Sequence, residues 1–246
     1  NARDLVVKRG EYRLFAGETV LQLLDRMDRN EVILYPITIP EGVTFNWFLT
    51  TLWKHPNLTR VIESAQDERL VKLIQPYASP EGLFLPETYL IQSGDTDLDV
   101  LMRARAAMES ALMSAWNERT ETAQLKTPYE ALVLASIVEK ETGIASERAE
   151  IAGVFTRRLA LGMRLQTDPT VIYGLGAEFD GNLTRRHLRD EDNQFNTYRI
   201  AGLPPTPIAM PGRAAIHAAL HPASGDTLYF VAKGDGSHYF SSTFNK

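Results

Sequence analysis

One glutamate follows a markedly apolar stretch of the chain. Glu139 comes directly after residues 131–138, and Thr127-Pro128-Tyr129-Glu130 is typical of a capped helix start with proline at its first position. A helix that is apolar around most of its circumference is usually buried, and burial and the helix dipole both oppose ionisation of a carboxyl near its C-terminus. A carboxyl that stays protonated near neutral pH suits general acid catalysis. The alternative is a structural Glu139, solvated or paired with an arginine.

A second group of polar side chains lies in a long irregular segment, residues 163–210. It contains Gln166, Asp168, Asn196 and Tyr198, set among prolines and aromatic residues. A long irregular segment within a compact domain is often functional, and hydrogen-bonding groups beside flat apolar faces suit a carbohydrate. The segment also allows a second interpretation, an ordered loop whose polar side chains bind their own backbone.

Periodicity and capping signals predict the elements that must position these groups. The chain should begin with two strand–turn–helix units, near residues 12–24 and 37–49, with Thr19 and Thr44 as N-caps. The remaining predicted elements are helices over about 95–119, 127–142 and 146–161, short helices after residues 165 and 211, and a hairpin over 228–241. Gly143 and Gly162 are the predicted helix stops. This order predicts an α+β fold, with a small N-terminal region over 1–80 and a mixed helical domain over 81–246 that ends in a β-hairpin.

The composition excludes several classes of protein. The 246 residues have a formal net charge of −5 and no cysteine, which disfavours nucleic-acid binding and excludes disulfides and thiolate metal sites. His217 and His221 have helical spacing but no acidic residue near them in sequence, so we expect no metal and no cofactor. No apolar run is long enough to span a membrane, and the start at Asn1 leads us to expect that an upstream segment, such as an anchor, has been removed.

Five ordered motifs closely resemble the YceG-like endolytic murein transglycosylases, from about residue 36 to the end. The motifs are Ser79-Pro-Glu81-Gly82-Leu-Phe84-Leu-Pro86-Glu-Thr88-Tyr89, Leu134-Ala-Ser136-Ile-Val-Glu139-Lys-Glu141-Thr142, Leu165-Gln166-Thr-Asp168-Pro169-Thr170-Val-Ile-Tyr173-Gly174, Asn196-Thr197-Tyr198-Arg-Ile-Ala-Gly202-Leu203-Pro204-Pro205-Thr-Pro207-Ile208 and Tyr229-Phe-Val-Ala-Lys-Gly234-Asp235-Gly236-Ser-His238-Tyr-Phe240-Ser. The second N-terminal unit more weakly resembles the opening of a LysM-type module, a glycan-binding fold.

The resemblance implies cleavage of the bond between N-acetylmuramic acid and N-acetylglucosamine in peptidoglycan, with formation of a 1,6-anhydro end. It places the single general acid/base on Glu139 and needs no cofactor. Glu141 lies about 200° around the helix from Glu139, so we interpret Glu141 as structural. The expected substrate-binding residues are Ser136, Gln166, Asp168, Asn196, Tyr198 and Glu81.

The resemblance also implies where the protein acts and with what. It predicts a location at the periplasmic face of the bacterial inner membrane through an upstream anchor, glycan strands as substrate, and glycan-polymerising synthases as partners. Two other functions stay open. One is a lysozyme-like hydrolase in which Asp168 or Glu81 activates water, and the other is a non-catalytic scaffold that binds peptidoglycan.

Overall fold

A computed structural model describes residues 9–244, which form two small sheets and a set of helices. The helices are α1 (Val20–Asp28), α2 (Phe45–Trp53), α3 (Glu68–Leu73), α4 (Asp97–Asn117), α5 (Pro128–Glu141), α6 (Arg148–Ala160), α7 (Asp168–Leu175), α8 (Arg185–Arg189) and α9 (Arg213–Leu220). The strands are β1 (Tyr35–Thr38), β2 (Thr88–Ile91), β3 (Tyr229–Ala232) and β4 (His238–Ser241). This mixture of helix and sheet agrees with the predicted α+β class.

Helix α5 lies at the centre of the C-terminal region and packs against α4, α6 and α9. All of its residues from Ala131 to Val138 are buried, as its apolar circumference predicts. Thr127 caps its start by accepting a hydrogen bond from the Glu130 backbone at 3.1 Å, whereas the Glu130 carboxylate accepts from Lys126. The helix ends because Thr142 is extended. Gly143 has no left-handed backbone, so the prediction that it stops the helix by a glycine cap is wrong.

The two N-terminal units differ in how completely they form. The second has the predicted strand β1, a left-handed turn at Gly42, the Thr44 cap and a buried face on α2. The first has the predicted Thr19 cap and helix α1, but residues 12–16 form no strand, and no residue of α1 is buried. Burial therefore stabilises the second unit, whereas local capping is the main stabilising feature of the first.

One hydrophobic cluster joins the N-terminal region to the rest of the chain. Strand β1 pairs antiparallel with β2, which lies beyond the predicted boundary near residue 80. Next to this sheet, the ring of Phe84 contacts the rings of Phe45 and Phe48, with centroid distances of 5.2 and 6.0 Å. The boundary near residue 80 stays a prediction, and contacts of this kind cross it.

The C-terminal hairpin forms as predicted, with β3 paired to β4 around a turn at Gly234 and Gly236. Two arginines of α6 bind the chain that leads into it. Arg157 donates to the carbonyls of Ala223 and Thr227, at 2.8 and 2.6 Å, and Arg158 donates to the carbonyl of Leu228 at 2.7 Å. Within residues 9–244, no helix combines the length and apolarity needed to cross a membrane.

Gly82 allows a close approach between the loop before β2 and the loop before α9. Its φ is +76°, and a Cβ there would lie 2.4 Å from Pro207 Cβ. Gly202 has a similar φ of +80° but open space around it. We expect Gly82→Ala to lower the free energy of unfolding by about 1–3 kcal/mol more than Gly202→Ala, because only the first substitution overpacks a contact. Urea unfolding of both variants measures the difference, and equal losses would contradict it.

Candidate active site

Glu139 lies at the contact between α5 and two loops. Its carboxylate accepts a hydrogen bond from the Gly212 backbone at 2.9 Å, and an Arg148 nitrogen lies 3.7 Å from its other oxygen. The Gly42 turn packs against its side chain, which is only 6% exposed. Burial raises the pKa of Glu139, and the charge of Glu41 adds to this effect. The carboxyl is therefore perturbed, but it is enclosed by the protein.

The loops around Glu139 are themselves held together. Gly42 donates to the Met210 carbonyl at 2.8 Å, and Met210 donates to the Val43 carbonyl at 2.7 Å. Lys140 adds a hydrogen bond from its ammonium to the Gly42 carbonyl at 3.2 Å. These contacts give Glu139 a structural task, because it connects the end of α5 to the loop before α9 where that loop meets the N-terminal region.

Glu141 lies on another side of α5 and faces the segment that carries the predicted binding residues. The Thr167 hydroxyl donates a hydrogen bond to its carboxylate. Burial raises the pKa of Glu141, and the nearby charge of Asp168 raises it further. Tyr198 completes this group, since its hydroxyl donates to Asp168 at 2.7 Å. Burial raises the pKa of Tyr198, and the hydrogen bond to Asp168 and the charge of Glu141 raise it further.

A cavity of about 630 Å³ lies beside this group. Gln166, Tyr198 and Arg158 line one part of it, and aromatic side chains of the hairpin, including Tyr229 and Tyr239, line another. Gln166 has a left-handed backbone with φ +51°, a conformation that costs about 1–2 kcal/mol in a residue with a side chain. Aromatic faces next to hydrogen-bonding side chains are a suitable lining for sugar rings.

The predicted site residues therefore divide into two groups, one near Glu141 and the cavity and one that is buried and binds other groups of the protein. Asp168 and Tyr198 are hydrogen-bonded to each other and lie near Glu141 rather than Glu139, and Gln166 lines the cavity together with Tyr198. The sequence contained a signal for this arrangement, because Glu141 lies in the same short motif as Glu139 and helical periodicity gave the angle between the two side chains. What the sequence did not show was which of the two directions faced the irregular segment.

Ser136 and Asn196 lie inside the protein and bind backbone groups. The Ser136 hydroxyl donates to the Val133 carbonyl at 2.7 Å and accepts from the Ile208 backbone at 3.0 Å. The Asn196 amide donates to the carbonyl of Asp190 at 2.7 Å, and its oxygen accepts from the Tyr198 backbone at 3.0 Å. Neither side chain contacts Glu139, and neither is exposed. Their contacts position the loops that carry other residues of the site.

Glu81 is 5% exposed and also binds protein groups. Its carboxylate accepts from the Phe45 backbone at the start of α2, at 2.9 Å, and from the Tyr173 hydroxyl of α7, at 3.1 Å. Burial raises its pKa to about 7. Glu81 thus connects the N-terminal region to the helix that begins at Asp168. Within residues 9–244, no arginine forms an ion pair with Glu81, whose partners are Phe45 and Tyr173.

Two contributors to this site were not predicted from the sequence. Arg158 is a helix residue between Arg157 and Leu159, and nothing in this pattern indicated a cavity. The hairpin aromatics were placed correctly in secondary structure, but their position next to residues 166 and 198 depends on long-range packing. His238 at the start of β4 anchors the hairpin to Glu147, because its backbone donates to Oε1 at 2.9 Å and its Nδ1 lies 2.7 Å from Oε2.

Comparison with known proteins identifies the family. The family model described as the YceG-like family matches residues 1–246, the whole chain. The chain belongs to the YceG-like family. The resemblance that the five motifs carried is therefore confirmed.

Relatives of this YceG-like chain include proteins named endolytic murein transglycosylase. One from Bacillus subtilis (strain 168) is 35% identical over 166 residues, which are 68% of this chain and 45% of that protein. One from Streptococcus pneumoniae (serotype 2, strain D39) is 28% identical over 275 aligned residues, covering 98% of this chain and 49% of that protein. The chain thus spans about half the length of the curated relatives it matches.

A solved structure has the same fold. The crystal structure titled putative yceG-like protein, from Listeria monocytogenes, has a TM-score of 0.71 and 29% sequence identity to this YceG-like chain. It covers 91% of this chain, and the match extends over 78% of the Listeria protein. The fold described above is therefore shared within the family.

The buried Glu81 predicts a pH-dependent stability. Its pKa of about 7 in the folded chain exceeds its ordinary value of 4.5, so between these pH values the folded state holds a proton that the unfolded state has lost. The free energy of unfolding should therefore fall as pH rises from 4.5 to about 7, by on the order of 3 kcal/mol from this group. Glu81→Gln should lack this slope, measured by urea unfolding across the range. Glu109→Gln reports the effect of removing an exposed glutamate of α4, and an unchanged slope in Glu81→Gln would refute the assignment.

Proposed function

We propose that this chain is the catalytic part of a peptidoglycan lytic transglycosylase and that Glu141 is its general acid/base. The family and the names of its relatives support the reaction. The observation that carries the choice of residue is that Asp168 and Tyr198, which are hydrogen-bonded to each other, lie near Glu141, and that Tyr198 also lines a cavity with aromatic walls.

The proposed reaction needs one carboxyl that gives and then takes a proton. The protonated form of Glu141, which burial and the charge of Asp168 favour, donates its proton to the glycosidic oxygen. The N-acetylglucosamine leaves with a free 4-hydroxyl, and the 6-hydroxyl of the muramic residue attacks its own C1. The proton of that hydroxyl passes to the Glu141 carboxylate, which restores the starting state and leaves a 1,6-anhydro end. No water is consumed, and the intramolecular nucleophile has its proximity built in.

The assignment of this role to Glu139, which the sequence resemblance implied, stays a prediction. Geometry favours Glu141 for two reasons. Glu139 accepts a backbone hydrogen bond from Gly212 and faces Arg148, and none of the predicted binding residues lies in that contact. Glu141 lies on the side of α5 where those residues meet. The two carboxyls share a raised pKa, so only their surroundings separate them.

A hydrolase is the second candidate, and Asp168 is the observation that favours it. Hydrolytic glycosidases use a pair of carboxyls, and Asp168 lies close enough to Glu141 for its charge to raise the pKa of that group. Glu81 is a poor choice for the second carboxyl because it is buried and bound to Phe45 and Tyr173. The products distinguish the two reactions, since a hydrolase leaves reducing ends.

The setting of the reaction is part of the same proposal. We infer from the family resemblance that the protein acts on glycan strands at the periplasmic face of the inner membrane, beside the synthases that polymerise them. The N-terminal region, with the LysM-like unit of β1 and α2, would then bind glycan next to the cutting domain. Its contacts through Gly42 and Glu81 support a fixed placement of that unit relative to the site.

Mass spectrometry of the products from purified, uncrosslinked glycan strands tests both the reaction and the residue. The parent chain should produce anhydromuramyl ends. Glu141→Gln should lower their formation by about 100- to 10,000-fold, the usual contribution of general acid catalysis. Glu139→Gln, the matched control on the same helix, should retain most of the activity if its fold is intact by circular dichroism.

The opposite pattern would return the catalytic role to Glu139 and overturn the choice made from geometry. Reducing ends from the parent chain would replace the transglycosylase with the hydrolase. An absence of any cut strand with the parent chain, under conditions where a lysozyme cuts the same strands, would count against an enzyme and favour a scaffold that binds peptidoglycan.

The pH profile of kcat/KM gives a second test of Glu141. Only the protonated carboxyl can donate in the first step, so kcat/KM should fall as pH rises through the raised pKa of Glu141. The charge of Asp168 contributes to that raised pKa. Asp168→Asn should therefore move the alkaline limb to lower pH, in addition to any change in its height. Tyr198→Phe, which leaves the Asp168 charge in place, serves as the control, and a limb that stays in place in Asp168→Asn would exclude the coupling.

A further inference from the structure

Arg158 is a buried cation in the wall of the cavity. It is 6% exposed, yet it is among the residues that line the open space beside Tyr198 and Gln166. Its Nε donates to the Leu228 carbonyl at 2.7 Å and its Nη1 donates to the Leu165 carbonyl at 2.5 Å. The guanidinium is thus held in one orientation by two backbone acceptors, and these come from the two segments that border the cavity.

The positive charge of Arg158 lacks a direct counter-ion. Within the described part of the chain, no carboxylate lies within ion-pair distance of it, and the hydrogen bonds of the guanidinium are made by Nε and Nη1. Its Cζ lies 5.3 Å from the centroid of the Tyr229 ring, a cation–π contact that does not neutralise the charge. Its charge interacts with that of Glu141 only at longer range. A buried charge is normally paired. The neighbouring Arg157 differs from Arg158 in its hydrogen bonds and in its position relative to the cavity. Arg157 uses its three nitrogens on Thr227 and Ala223 and does not line this cavity.

We propose that Arg158 recognises a carboxylate on the muramic residue of the glycan strand and so selects which sugar lies next to Glu141. This inference rests on the proposed function. N-acetylmuramic acid differs from N-acetylglucosamine by its lactyl group, which ends in a carboxylate when it is free and in a stem peptide with its own carboxylates when it is substituted. A guanidinium held at the cavity wall provides a charge-assisted hydrogen bond to such a group.

The reaction requires such a selection. Both sugars of the strand have a 6-hydroxyl, so that group does not tell them apart, and a cut on the wrong side of the muramic residue would place the anhydro ring on the other sugar. A cation that binds only the sugar with the lactyl group fixes the register of the strand. The aromatic walls contributed by Tyr229 and Tyr239 cannot do this, because both sugars offer them similar ring faces.

Binding of chemically altered strands tests this inference without depending on catalysis. Glu141→Gln is the background, and the probes are strands stripped of peptides, the same strands with their lactyl carboxylates converted to neutral methylamides, and strands that retain their peptides. We expect the neutral strands to bind roughly 10- to 100-fold more weakly than the stripped strands, the usual range for one hydrogen bond to a charged group. Binding of the peptide-bearing strands shows which carboxylate is used. If the peptide-bearing strands bind as weakly as the neutral strands, the group that Arg158 recognises is the lactyl carboxylate. If they bind as tightly as the stripped strands, it is a carboxylate of the peptide.

A second pair of variants connects the effect to one side chain. Adding Arg158→Gln should remove the preference for charged strands, whereas Arg157→Gln should keep it, although both variants weaken the anchoring of the hairpin. The preference is a ratio within each variant, so a general loss of stability does not imitate the result. Equal binding of charged and neutral strands by the Glu141→Gln chain would overturn the inference even if an Arg158 variant failed to fold.

The preference for charged strands and the formation of anhydro ends are separate measurements, so a failure of the inference can be told from a failure of the proposed function. Normal anhydro products with no preference would refute the role of Arg158 alone. A clear preference without any products from the parent chain would refute the transglycosylase and leave Arg158 as part of a glycan-binding site.

Discussion

The burial of α5 around its whole circumference is the constraint on which the site depends. Eight consecutive residues, Ala131 to Val138, are buried against α4, α6 and α9. Residues 131–138 therefore have no solvent-facing side, and at the end of the helix Lys140 is exposed whereas Glu139 and Glu141 are partly buried. Burial is the largest influence on the pKa of each glutamate. Helix α5 thus carries two perturbed carboxyls with one structural cause, and their neighbours differ.

A perturbed pKa alone therefore does not identify the catalytic group in this fold. Glu139 meets a backbone amide, an arginine and the Gly42 turn, which are contacts that hold loops together. Glu141 meets Thr167 and lies near Asp168, Tyr198 and the cavity. Burial explains why both groups resist ionisation. Their neighbours differ, because Glu141 lies near Tyr198, which lines the cavity, whereas Glu139 lies near Arg148 and Gly212.

Buried polar side chains form the framework between α5 and the cavity. Ser136 holds the loop at Ile208, Asn196 holds the loop at Asp190, and Glu81 joins α2 to α7. Such groups are tolerated inside a protein only when their hydrogen bonds are satisfied, and these are satisfied largely by backbone. Their presence in motifs shared with a transglycosylase family is consistent with a need for precise loop placement, which does not require contact with the sugar.

The sequence by itself determined the local structure well. The caps at Thr19, Thr44 and Thr127, the apolar circumference of α5 and the glycine turn of the hairpin all depend on residues close in the chain, and the structure has each of them. The same local rules gave the 200° between Glu139 and Glu141. Only the tertiary structure decided which direction led to Thr167 and Tyr198, and that Arg158 and the hairpin enclose the same space. Those contacts join residues 26 to 70 positions apart. Helical periodicity gives the angle between two side chains on one helix, but it does not determine which other part of the chain either side chain faces.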